Sequence, residues 1–184
     1  MTPAGGIEVM LLWVSLSGAF FGLLALVMRR RLGTVSAFAI SGFLWSLVVI
    51  AIVTLLPTDP DLGVVPAEGR ATSCSTDIGG PAPDGFWILA GGQRLLNTLL
   101  FIPSGALLVL GASRWRIGWV LVPLGVAGLA AYSGLIELAQ LELARLDRAC
   151  DLTDVVDNVS GAAVGVVVGL VLVLVLRPWR RGRM

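Results

Sequence analysis

The chain has 184 residues, of which 57% are hydrophobic and 14% charged, and its mean hydropathy is +0.92. Water-soluble domains carry roughly 45–50% apolar and about 25% charged residues, so this composition excludes an ordinary soluble protein and points to a membrane. The net charge is +1, every one of the 13 basic residues is arginine, and the absence of lysine and histidine excludes Ser-His, Cys-His and Ser-Lys catalysis, Schiff-base chemistry and histidine-ligated zinc.

Apolar runs near the roughly 20 residues that cross a bilayer predict five spanning helices. The first runs from Val9 to Met28. Its front end lacks positive charge and Arg29 to Arg31 follow it, the reverse of a signal peptide, so it is expected to stay in the membrane. The second runs from Val35 to Pro57. Residues 58–87, rich in Pro, Gly, Ser and Asp, then read as an extended extracytoplasmic loop, with Phe86 and Trp87 marking the return to the membrane interface. The third span runs from Leu95 to Ala112 and the fourth from Ile117 to Leu138, with Trp115 and Trp119 at the opposite interface. The fifth runs from Val155 to Leu176. The predicted fold class is an all-α polytopic bundle, a single membrane domain over residues 1–184.

Topology follows from the arginines. Residues 29, 30, 31, 114, 116, 177, 180, 181 and 183 fall on one side, which the positive-inside rule makes cytoplasmic. Arg70, Arg94, Arg145 and Arg148 fall on the other with all 12 acids, giving +9 inside, −8 outside and the +1 total. The N-terminus is then outside and the C-terminus cytoplasmic. Cys74 and Cys150 both fall outside, where an oxidising compartment permits a disulfide between them.

The same layout gathers polar residues at the outer ends of three spans: Asn97, Glu137 with Gln140, and Asp151, Asp154 and Asn158. Ionisable groups at membrane depth are costly, and their default reading is functional. Asp151, Asp154, Asn158, Gly161 and Gly165 follow steps of three and four, one face of a helix, acidic above and small below. Gly161 and Gly165 have the GxxxG form that permits close helix packing. Asp157 lies off that stripe and reads as incidental, and Ser133, with no base to activate it, reads as packing. Glu137, Asp151 and Asp154 are the carboxylates on which Mg²⁺ could sit, with Arg148 or Arg94 on a phosphate oxygen. The preferred reading has no metal and no other cofactor.

Three segments in order, "RLLNTLLFIPSGALL", "SGLIELAQ" and "RACDLTDVVDNVSGAAVG", resemble the VanZ-like family of bacterial membrane proteins over about residues 45–176. The family positions are Asn97, Phe101, Pro103 and Gly105; then Glu137 and Gln140; then Arg148, Asp151, Asp154, Asn158, Gly161 and Gly165. Cys150 and Asp157 stand where the family has apolar or aromatic residues, and the loop holding Cys74 is longer than the family minimum. The resemblance implies a multi-pass protein of the bacterial cell membrane, and its name-giving member confers low-level resistance to the glycopeptide teicoplanin. The expected function is binding, not catalysis: recognition of a membrane lipid, a lipid-linked wall precursor or a glycopeptide at the outer leaflet by Asn97, Glu137, Gln140, Arg148, Asp151, Asp154 and Asn158. No nucleic-acid partner is expected. Two alternatives are a small membrane enzyme acting on a lipid-linked phosphate through Glu137, and a helper subunit packing on a partner through the glycines of the fifth span.

Overall fold

A computed structural model describes residues 6–57, 73–76, 92–143 and 150–178 of the chain. Among them are five helices, α1 (Ile7–Leu32), α2 (Thr34–Leu55), α3 (Gly92–Ala112), α4 (Gly118–Glu142) and α5 (Leu152–Leu176), each long and apolar enough to cross a membrane. Every predicted span is present, and most are longer than the apolar run. Thus α1 continues through Arg29 to Arg31 and α3 starts before Leu95, because charged residues close a helix at the interface as readily as apolar ones. Most of loop 58–87, with Phe86 and Trp87, lies outside the described residues, as do Arg145 and Arg148.

Successive helices run in opposite directions, giving the bundle a disulfide end and an arginine end. At the arginine end α1 passes into α2 through the single residue Gly33, at φ 78 and ψ 157, a backbone region essentially reserved for glycine. The Arg114 guanidinium donates to the carbonyls of Leu32 and of Arg31, the latter at 3.2 Å, closing off carbonyls that α1 leaves without helical partners. At the disulfide end the Gly6 N–H donates to the Pro57 carbonyl at 3.0 Å, so both ends of the α1–α2 pair are closed.

The core sits where α2, α3, α4 and α5 meet. Ile50, Phe101, Leu129, Ile136 and Ala162 are buried together there, with Tyr132 against them donating to the Leu47 carbonyl at 2.6 Å. Inside the core the Ser46 and Ser104 hydroxyls pair at 2.8 Å, joining α2 to α3. By contrast α1 packs chiefly on α2, its Gly18 lying under the Trp45 ring, and it exposes Trp13, Phe20 and Leu23 as a lipid-facing helix would.

The tightest pair is α3 with α5, which run parallel. A Cβ added at Gly161 would lie 2.1 Å from the Thr98 carbonyl oxygen, at Gly165 2.1 Å from that of Ile102, and at Gly169 2.8 Å from that of Ala106. Each pair is separated by 63 residues, as are Arg94 and Asp157 one turn above. Two rows of every fourth residue therefore meet along the full contact: 94, 98, 102 and 106 against 157, 161, 165 and 169. Such close approach replaces hydrophobic driving force in a membrane, where lipid is as apolar as leucine. Gly161 and Gly165 thus serve helix packing as expected, but the partner is α3. The glycine row is buried within the chain, which removes the reading in which it docks a separate subunit.

Candidate functional site

The disulfide end of α5 is built from short-range bonds. Cys74 and Cys150, separated by 76 positions in sequence, form a disulfide with Cα atoms 4.5 Å apart. Beside it the Ser75 N–H donates to the Cys150 carbonyl at 2.8 Å and the Leu152 N–H donates to the Ser75 carbonyl at 3.1 Å, a single parallel bridge of Ser75 with Asp151. Asp151 caps α5, its Oδ1 accepting from the Thr153 N–H at 2.8 Å. Its own N–H donates to Glu137 Oε2 at 3.1 Å. The Glu137 side chain, in a residue only 4% exposed, thus lies at the positive end of the α5 dipole.

Cys74→Ala is expected to cost about 2 kcal/mol, near the low end of what a native disulfide contributes, because the Ser75 backbone bonds still hold the strap. The check is thermal unfolding in detergent. Parent protein treated with reductant should fall to the same midpoint, and an unchanged midpoint would show that the bond carries no stability.

Below this strap, between α4 and α5, lies a groove of about 500 Å³. Its walls include Gly134, Leu135, Leu138, Leu152 and Val155, and the disulfide and Asp151 lie at one end with Glu137. Leu135, Leu138 and Leu152 are also exposed on the bundle surface, so the groove opens sideways where lipid chains would lie. It has the size of a small-molecule site, apolar with a few polar groups at one end.

The residues expected to converge divide between this groove and the bundle interior. Glu137 and Asp151 come together at the groove; Asp154, half-buried in the first turn of α5, is not among its walls. Gln140 points away from it and donates from Nε2 to the Thr54 carbonyl at 3.0 Å, tying α4 to the end of α2. Asn158 donates from Nδ2 to the Ser133 hydroxyl at 2.8 Å, joining α5 to α4 and giving Ser133 the packing role read from its sequence context. Asn158 Oδ1 and Asn97 Nδ2 are buried without a hydrogen-bond partner among the described residues. Arg148 lies outside the described residues. Among those residues no group of three or more His, Cys, Asp or Glu side chains is placed to hold a metal ion.

One residue set aside at the sequence level is central. Asp157 is fully buried and receives two bonds from Arg94, Nε to Oδ2 and Nη2 to Oδ1, both 2.9 Å. This is a bidentate pair between α3 and α5, with Asp151 and Asp154 adding to the negative field around Arg94. The reading of Asp157 as incidental is therefore corrected. It does lie on a stripe, four residues before Gly161, and the row 157, 161, 165, 169 was the available signal.

No curated protein and no solved structure gives a significant match to the chain. Residues 43–175, which hold α3, α4, the groove and nearly all of α5, match the family model described as VanZ/LLP1. With its five apolar helices and these motifs in order, the chain belongs to the VanZ-like family of membrane proteins.

Proposed function

We propose that the α4–α5 groove binds a membrane lipid or lipid-linked wall precursor, its chain against Leu135, Leu138 and Val155 and its head group at Glu137. The observation that carries this reading is Glu137, a residue 4% exposed, at the polar end of an apolar groove of about 500 Å³ that opens toward lipid. The carboxyl oxygens of Glu137 accept hydrogen bonds, so the head group they suit brings hydroxyl or amine donors. The disulfide supports placing this end on the oxidising, outer side, and the arginines support a cytoplasmic opposite end. A bacterial envelope protein of this kind would alter sensitivity to glycopeptides by holding or shielding a wall precursor at the outer leaflet.

Native mass spectrometry of the purified chain tests the proposal. Gly134→Leu is the cleanest variant, since a Cβ there meets nothing within 4 Å and the longer side chain enters the groove. It is expected to lose copurified lipid without a fall in the melting midpoint, and Glu137→Gln should shift which head groups are retained. Lipid retained in full by both variants would overturn the reading.

A further inference from the structure

The arginine end holds a second groove, of about 290 Å³, between α2, α3 and α4. Ile40, Phe43, Leu107, Leu108 and Leu121 form its walls, and Trp115, in the turn after α3, lies at its outer limit. Trp115 is itself exposed, an indole placed as interfacial tryptophans are.

Among the described residues no charged one lines the groove itself, and the end of the bundle that holds it carries charge of one sign. Arg29, Arg30, Arg31, Arg114, Arg116 and Arg177 gather at this end, while the sequence has no acid between Glu8 and Asp59, between Asp84 and Glu137, or after Asp157. Two of the arginines are engaged, Arg114 on the Arg31 and Leu32 carbonyls and Arg177 on the Leu174 carbonyl. Arg116 is exposed and adjacent in sequence to Trp115.

We propose that this second groove is a binding site for an anionic glycerophospholipid, with an acyl chain along Phe43 and Leu108 and the phosphate at Arg116 and the Trp115 indole N–H. The apolar walls select a chain, and the uncompensated cations select an anionic head group over a zwitterionic one. The site is separate from the α4–α5 groove and does not depend on it.

Purified full-length protein titrated with phosphatidylglycerol or phosphatidylcholine and followed by native mass spectrometry provides the test. Phosphatidylglycerol should be retained preferentially. Arg116→Gln should weaken it about fivefold, the effect of removing one cation near a lipid phosphate. Leu121→Trp, which fills the groove, should abolish the preference. Arg30→Gln, on α1 outside the groove, should leave it unchanged. Equal retention of the two lipids would overturn the proposal, and so would equal losses for Arg30→Gln and Arg116→Gln, which indicate diffuse attraction. Binding of inorganic phosphate alone with the same dependence on Arg116 and no response to Leu121→Trp would also overturn it, since that requires no chain in the groove. Arg116 is exposed, so its variant keeps the comparison informative if Leu121→Trp fails to fold.

Discussion

Asp157→Asn is expected to destabilise the bundle by about 3–5 kcal/mol, the usual cost of breaking a buried ion pair by removing one partner. The substitution keeps volume and loses charge, so it leaves Arg94, whose side chain is 13% exposed, without its bidentate acceptor. Arg94→Leu is expected to be similarly damaging, because it strands a fully buried carboxylate between two helices. The double variant Arg94→Leu with Asp157→Leu should recover most of the loss, since an apolar pair of comparable size removes both desolvation costs at once. Thermal unfolding in detergent, with a double-mutant cycle, measures the coupling. Single variants that melt with the parent would mean that the pair is dispensable and that glycine packing alone holds α3 to α5.

The second large effect is expected at Gly161. A Cβ there falls 2.1 Å from the Thr98 carbonyl oxygen and 3.0 Å from its Cα, atoms of a helix backbone that cannot rotate away. Gly161→Leu must push α3 and α5 apart, which lengthens every contact along the row. A loss of about 3 kcal/mol or more is expected, at or beyond the upper range for overpacked cores. Gly128→Ala on α4 supplies the opposite sign, because its Cβ meets nothing within 4 Å. It should stabilise by up to about 1 kcal/mol through the lower backbone entropy of alanine in a helix. Equal melting midpoints for the two variants would refute the close-packing account.

Much of the architecture was readable from composition. The five spans, the disulfide and the packing role of Gly161 and Gly165 follow from apolar run length, arginine position and the spacing of small residues, all of them local or counted properties. The chemistry of the polar residues was less so. In a soluble helix the apolar face announces which side is buried, but in a spanning helix lipid-facing and protein-facing sides are both apolar. Nothing local therefore told that Gln140 reaches back to Thr54, or that Asp157 faces Arg94 from 63 residues away. The expected site drew on three helix ends; of its residues, Glu137 and Asp151 line the groove between α4 and α5, while Asn97 and Asn158 have side-chain atoms buried in the interior. Polar residues in a bundle serve both as cross-links and as recognition groups, and only knowing what each one meets separates the two.

The constant separation of 63 residues between α3 and α5 also sets where the chain tolerates changes in length. Deleting one residue between Asp157 and Gly169 turns the remainder of α5 by about 100°, so the glycines beyond the deletion leave the seam while those before it stay. The same deletion between Glu142 and Cys150 changes the count from 63 to 62 but leaves each row intact. Changes in length are therefore least tolerated within the two thirteen-residue stretches, 94–106 and 157–169, that face each other along the seam.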